Sequence, residues 1–567
     1  MSTYSEAKQK IIKELKVALG KGYSPTAAEL ETPPDSTMGD FAFPCFTLAK
    51  GLKKNPAEIA VEVSAKIEPK GWIEKVTAKG SYVNFFLRSE AFGKNVLEEI
   101  NLDKENYGKA KEGRKRRVMV EYVQPNTHKE VHVGHVRNFF IGHTVVNLLN
   151  SVGYEVVPAC YIGDVGAHVA KCLWALKKFH AEEKPDNWAK FLGEVYTEAS
   201  QYVEDHPEVK EEISVVQREL EAGKSPWVSL WRKTRKYSLN MFKDVFKELG
   251  LPIDVWYFES EVEKDGKKIV QQLLKKGVAQ ESQGAIIVDL EKEGLGVYLI
   301  LKTDGSALYS TKDLALAYLK EAQYHPDRSI LVVDSRQSLV LQQLFATLRR
   351  VGFKKDFTHL SYDFVTLKEG AMSSRKGNII RYENFRDTMI EASRAETKKR
   401  HPEWKDKKVE ETARLISFAA IRFGMLRQDP AKKIVFDMEE AMSFDGYTGP
   451  YLLYTYARAQ SILRKAGSIK PKIETKKLSL PIEHKIFFKL SEYPEVVLKT
   501  SQDFKLDRLT EYLFDLAKTF ATFYHEVPVT QAEDKETVAA RLALIESVSQ
   551  VLKNGLWMMG IETIKEM

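Results

Sequence analysis

The chain has 567 residues, 43% hydrophobic and 11% aromatic, enough for three or four domains with packed cores and unlike a disordered chain. No apolar run reaches the ~18 residues of a membrane span, and the charged, amphipathic first 16 residues lack the apolar stretch of a signal peptide, so a soluble cytoplasmic protein is expected. The formal charge of +7, from 86 Lys and Arg against 79 Asp and Glu, permits polyanion binding without requiring it. Cys45, Cys160 and Cys172 are too few and too scattered for a disulfide framework or a Cys-rich zinc site; no resident metal is expected.

In chain order, Ile11, Ile12, Leu15 and Leu19 mark an amphipathic helix, followed by the turn Thr32-Pro33-Pro34-Asp35, further helical segments and a strand over residues 80–87. The charged stretch 104–117 reads as a linker. A strand over 118–123 is stopped by Pro125 and Asn126, and from Gly134 the positions Val136, Phe140, Ile141, Val145 and Leu148 predict a helix. His132-Val133-Gly134-His135 therefore sits where a strand has ended and a helix begins, the place where backbone N–H groups and the helix dipole favour an anion. A strand over 155–162 then runs into Gly163-Asp164-Val165-Gly166-Ala167-His168 and a helix. Residues 180–280 are charged and mostly helical, and much of this stretch reads as an insertion. Strands over 285–290, 297–301 and 328–334, a helix over 337–351 and strand-like residues 357–367 complete an alternation that predicts a doubly wound parallel sheet. The loop Ala371-Met372-Ser373-Ser374-Arg375-Lys376-Gly377 follows, and from about Asp445 the chain turns to long helices.

His132-Val133-Gly134-His135 after a strand resembles the nucleotide-binding signature of class I aminoacyl-tRNA synthetases, and the preceding Val120-Glu121-Tyr122 with Pro125-Asn126 resembles arginyl-tRNA synthetases in particular. The resemblance covers the whole chain in order. It implies a multidomain α/β protein: an N-terminal additional domain at 1–112 that contacts the tRNA elbow, a Rossmann-like catalytic domain at 113–440 with its helical insertion at about 180–280, and an all-α anticodon-binding domain at 441–567. It further implies ATP with Mg²⁺ as substrate, L-arginine and tRNA-Arg as partners, adenylate formation only with tRNA bound, and a monomer. His132, Gly134, His135 and the loop residues Ser373, Ser374, Arg375 and Lys376 would serve ATP. Glu121 and Asp313 would hold the guanidinium, which carboxylates grip bidentately, with Asn126, Tyr309 and Gln337 orienting the substrate. Gly163, Asp164, Gly166 and His168 resemble a further family motif beside the active site, and read equally well as a turn capping a helix.

The chain departs from the family pattern at Val123-Gln124, where small residues are usual, at Glu130, where Pro is usual, and at Ala371, where the first lysine of the loop is expected. Lys129, three residues before His132 and matching a family lysine, is the candidate replacement for that missing charge. Two rival readings remain at this level. Among class I synthetases for another amino acid, a cysteine-type enzyme would want thiolate and histidine zinc ligands that three scattered cysteines do not provide. A catalytically silent RNA-binding paralogue would be expected to lose His132, His135 or the Ser373–Lys376 loop, all of which are present.

Overall fold

The computed structural model describes every residue except Met1, 21–22, 224–225, 369–379 and 533, with the side chain of Ser36 also left out. Ser373, Ser374, Arg375 and Lys376 thus lie outside the described residues. The chain forms two compact units, one of Met1–Ala110, Lys405–Ala419 and Ser443–Met567, the other of Lys111–Trp404 and Ala420–Met442.

In the first unit the two ends of the chain share one core. A three-stranded antiparallel sheet, Phe41–Pro44, Tyr82–Leu87 and Ile73–Lys79 in that spatial order, closes through a hairpin at Gly80, whose φ of +57° suits a residue without Cβ. The helices Gly449–Lys465, Pro481–Asp503, Asp507–Glu526 and Lys535–Met558 make the C-terminal part all-α. Phe41 meets Phe488 at 5.3 Å between ring centroids, Tyr107 Oη donates to the Leu490 carbonyl at 2.9 Å, and His484 pairs with Asp40 at 2.7 Å. All three cysteines of the chain are buried thiols.

The second unit is built on five parallel strands: β1 (Arg117–Glu121), β2 (Glu155–Ile162), β3 (Val255–Phe258), β4 (Arg328–Asp334) and β5 (Asp356–Tyr362). Their spatial order, β5-β4-β1-β2-β3, reverses direction between β1 and β4, the topological switch point at which doubly wound sheets take their ligands. β3 lies inside the stretch read from sequence as largely an insertion, so that stretch contributes an edge strand as well as the helices Trp188–Asp205, Lys210–Glu221 and Trp227–Glu248. Residues 357–367 are two strands, not one: β5 ends at Tyr362, and Val365–Leu367 pairs instead with Ile434–Phe436. Strands Gln280–Ser282, Ala285–Asp289 and Val297–Leu301 form a separate antiparallel sheet.

The helix Val133–Ser151 packs on β1 with nearly every side chain buried, because Val136, Phe139, Phe140 and Val145 fill the space between it and the sheet. Gly142 makes the approach possible: a Cβ there would stand 2.2 Å from Tyr122 Cγ, and Tyr122 is held by its own hydroxyl, which donates to the Pro252 carbonyl at 2.6 Å. Gly142→Ala is therefore expected to lower stability by roughly 1–3 kcal/mol, the typical cost of forcing extra carbon into a packed core. A urea unfolding midpoint unchanged from wild type would show that this contact relaxes freely.

Candidate functional site

A cavity of about 410 Å³ opens at the carboxyl ends of β1 and β4. It gathers most of the residues singled out in the sequence. Glu121, Asn126, His132, Gly134, His135, Gly163, Tyr309, Asp313 and Gln337 all line it. Lys129, Asp164, Gly166 and His168 do not.

The floor of the cavity is set by how β1 ends. Beyond Glu121 the ladder to β4 stops, and Val123 turns into the left-handed region at φ +65°, a costly conformation for a β-branched residue. Asn138, from the second turn of the helix Val133–Ser151, holds it there. Its side-chain oxygen accepts from the Val123 N–H at 2.7 Å, and its amide nitrogen donates to the Val332 carbonyl on β4 at 2.7 Å. The next turn is tied to the end of β2: Thr127 N–H donates to the Gly163 carbonyl at 2.9 Å and Gly163 N–H to that of Pro125 at 3.3 Å. Gly163 must lack a Cβ, which would fall 2.0 Å from the side-chain oxygen of Asn126. His128, at φ +62°, is wholly buried, with hydroxyls of Thr127 and Thr234 on its two ring nitrogens at 3.0 and 2.8 Å. Burial pushes its pKa down to about 3, so it is a neutral hydrogen-bonding group.

At the helix start, His132 and His135 stack with ring centroids 3.7 Å apart. His132 N–H donates to His135 Nδ1 at 3.2 Å, which leaves the proton of the neutral His135 ring on Nε2. Burial, reinforced by Lys129, lowers His132 to about 4; burial, then His132 and Lys129, takes His135 well below the usual imidazole range. Both rings are thus neutral at physiological pH. Lys129 stands with its ammonium 4.5 Å from the Tyr196 ring centroid.

At the other end the cavity is acidic, and sequence reading found only part of it. Glu121, 4% exposed, is ion-paired to Lys320, itself 5% exposed, and its other oxygen accepts from Gln124 at 3.3 Å. Lys320 follows Asp313 by seven residues, two turns along the helix Tyr309–Tyr324, so its place on the same face was legible in the spacing. Glu259, just past β3, pairs with Lys312 at 2.8 Å; nothing local in the sequence points to it. These pairings leave Asp313 opening on the cavity with two carboxylates for neighbours. Burial, then Glu121 and Glu259, raises its carboxyl to about 7 despite Lys320 and Lys312. Tyr309, 65% exposed, stands at the rim.

The 163–168 motif divides. Asp164 turns away from the cavity and is fully buried, pairing with Arg235 at 2.6 Å and accepting from the backbone and hydroxyl of Ser260 at 2.9 and 2.7 Å. Gly166, at φ +112°, caps the helix Ala167–Phe179, and His168 sits 3.3 Å from the Gly163 carbonyl. Together they brace the turn that carries Gly163.

Comparison with known proteins agrees with this architecture. Residues 96–438 match the model of tRNA synthetases class I (R), catalytic domain, residues 452–567 the DALR anticodon binding domain, and residues 5–87 the arginyl tRNA synthetase N terminal domain. The arginine–tRNA ligase of Bdellovibrio bacteriovorus is 39% identical over 98% of each chain, and that of Clostridium perfringens 35% identical over 95% of this chain and 96% of its own. The structure of Thermus thermophilus arginyl-tRNA synthetase superposes with a TM-score of 0.83 at 27% identity, covering 99% of this chain and all of that one.

The electrostatics of Asp313 have a consequence for stability. Its folded pKa lies above the ordinary 3.8, so the fold favours the protonated form, and the stability this contributes below about pH 4 is lost as pH rises to about 7. Asp313→Asn removes that loss. The melting temperature of the variant relative to wild type is expected to climb between pH 4 and pH 7.5; a constant difference would mean an ordinary, solvated carboxylate.

Proposed function

We propose how this pocket works from the premise that the chain belongs to the arginyl-tRNA synthetase family, class I aminoacyl-tRNA ligases that activate L-arginine with ATP and pass the arginyl group to tRNA-Arg. The observation that carries the reading is one cavity, at the switch point of the sheet, with the His132–His135 helix start at one end and Glu121 and Asp313 at the other.

In this reading Asp313 receives the arginine guanidinium. It is the carboxylate without a lysine pinned to it, and its raised pKa makes a cation welcome. Glu121, steadied by Lys320, gives the second oxygen pair, while Asn126, Tyr309 and Gln337 orient the α-amino and α-carboxylate groups. His132 and His135, neutral, donate to the triphosphate beside the backbone N–H groups of the helix start, with Gly134 admitting the ligand closely. The arginine carboxylate attacks the α-phosphorus and pyrophosphate leaves; the terminal ribose 2′-hydroxyl of tRNA-Arg then takes the arginyl group and releases AMP. The protein's share of this chemistry is positioning and charge stabilisation. Mg²⁺ enters with ATP as part of the substrate, and Ser373, Ser374, Arg375 and Lys376 meet the phosphates. Gly163, Asp164, Gly166 and His168 act by bracing Asn126. We read the enzyme as a monomer working in the cytoplasm, where protein synthesis draws its tRNA.

ATP–pyrophosphate exchange with arginine, with and without tRNA-Arg, tests the assignment. Exchange is expected only with tRNA present. His135→Ala should lower its rate by roughly 10²–10³-fold, the cost of one donor to developing charge, with the arginine KM little changed. Asp313→Ala should instead raise the arginine KM steeply. Wild-type turnover in the first variant, or wild-type arginine kinetics in the second, would contradict the role given to that residue.

Ala371 leaves the polyphosphate short of one cation, and Lys129 is our candidate to replace it. Two things support this: it adjoins the signature, and its charge is felt by both signature imidazoles. Lys129→Ala should cut adenylate formation strongly and Ala371→Lys should partly restore it in the same chain. Full activity of Lys129→Ala, or simple additivity of the two changes, would remove Lys129 from this role.

A further inference from the structure

Glu130, which immediately follows Lys129, is built into an arrangement that reaches the signature. Its carboxylate pairs with Arg381 at 2.6 Å, and Arg381 also approaches Glu194 at 3.6 Å. The backbone of Arg381 is joined to the signature as well. Val133 N–H donates to the Ile380 carbonyl at 3.1 Å and Tyr382 N–H to the Val131 carbonyl at 2.8 Å, an antiparallel bridge centred on His132 and Arg381. The segment 380–382 is thus laid along 131–133 by two backbone hydrogen bonds, with one ion pair alongside.

The room for Glu130 comes from the helix Trp188–Asp205. At Gly193 a Cβ would lie 2.6 Å from Glu130 Cγ, so a larger residue there would displace the carboxylate side chain. Burial pushes the Glu130 carboxyl up to about 7, with Arg381 opposing and Glu383 and Glu194 adding to the rise. A carboxylate held at that cost is not an idle surface charge. The far end of the segment is anchored too: Tyr382 Oη donates to Glu248 at 2.9 Å, and Arg386 pairs with Glu248 at 3.0 Å.

We propose that the Glu130–Arg381 pair, seated against Gly193, is a positioning device for the ATP phosphate site, clamping residues 380–382 onto 131–133 and thereby setting the rings of His132 and His135. It rests on the reading of those histidines as phosphate donors. Glu130 and Arg381 need touch no substrate. They act by fixing the strand-like backbone at 131–133, from which His132 caps the helix and its N–H orients the His135 ring. A small displacement of oriented donors is costly in rate while leaving the other substrate's subsite intact.

The test is a double-mutant cycle on the full-length enzyme: Glu130→Ala, Arg381→Ala and the pair, in ATP–pyrophosphate exchange with tRNA-Arg present. KM for ATP, KM for arginine, kcat and the melting temperature are read for each, beside His135→Ala. Each single variant is expected to lower kcat/KM for ATP by roughly tenfold or more, with arginine KM within about twofold of wild type, and the double variant to be no worse than either single. Glu130→Gln keeps the shape and one hydrogen bond, and should recover part of the rate. Gly193→Ala should reproduce the defect with both charges untouched. Wild-type ATP kinetics in the single variants, or losses that add independently, would overturn the clamp; so would rate losses that merely track melting temperature, with Glu130→Gln no better than Glu130→Ala. If His135→Ala itself turns over normally, the phosphate reading fails and not the clamp alone. If His135→Ala is impaired while Glu130→Ala is normal, only the clamp fails.

Discussion

The site depends on one problem of backbone accounting. Where β1 and β4 part, each strand loses its ladder partner, and polar groups at a buried strand end must be satisfied elsewhere. The register stops at Leu331 opposite Glu121, so the carbonyl of Val332 and the N–H of Val123 are left facing the gap. Asn138 meets both with one amide group, and by doing so keeps Val123 in its left-handed conformation. The gap between the strands becomes a cavity with a defined floor. Each neighbouring feature then follows: Glu121 is the last residue of β1, Asn126 is bridged to Gly163 shortly after it, and the helix that supplies Asn138 begins at the histidine pair.

Upon that frame the charges are arranged by pairing. Of the carboxylates Glu121, Glu259 and Asp313 at the acidic end, the first two carry a lysine partner. Left unpaired, three buried carboxylates would repel one another and protonate. Lys320 pairs with Glu121 and Lys312 with Glu259, which leaves Asp313 as the carboxylate of the three without a lysine of its own. In the proposed reading a ligand cation there restores the balance, and a neutral analogue of arginine would leave Asp313 facing two carboxylates unaided.

Much of this was legible before any coordinates. Hydrophobic periodicity placed the helix after Gly134, and the alternation of strands and helices gave the doubly wound sheet, because both signals are local. Glu121, Asn126 and Asp313 were named through the family resemblance, and the structure places all three at the cavity. What escaped reading depends on distant packing. Glu259 enters the cavity only because β3 joins the sheet edge after a long helical stretch, and a polar Asn138 within an apolar helix reads as surface until the strand gap it fills is known. The motif at 163–168 shows the limit of spacing: adjacent residues of a turn point different ways, so Gly163 faces Asn126 while Asp164 turns to Arg235 and Ser260. Lys320 was within reach of helical spacing. It is an internal counter-charge, and a search for groups that grip a ligand passes over groups that restrain the ligand's partners.

The two ends of the cavity handle charge in opposite ways, as the roles proposed for them require. In that reading the substrate brings a permanent cation to the acidic end, and Asp313 can wait for it there at the cost of a raised pKa. At the histidine end the substrate brings several negative charges that increase at the leaving pyrophosphate during reaction. Neutral imidazoles and helix N–H groups do not repel one another in the empty site as buried cations would, so they can be held close and oriented before ATP arrives. Dipoles of this kind are most effective when fixed and drained of water. Their orientation therefore has to come from elsewhere in the fold. In the proposed clamp it comes from the hydrogen bonds around residues 131–133, and phosphate recognition then turns on the precision of that short backbone stretch more than on the identity of any single ring.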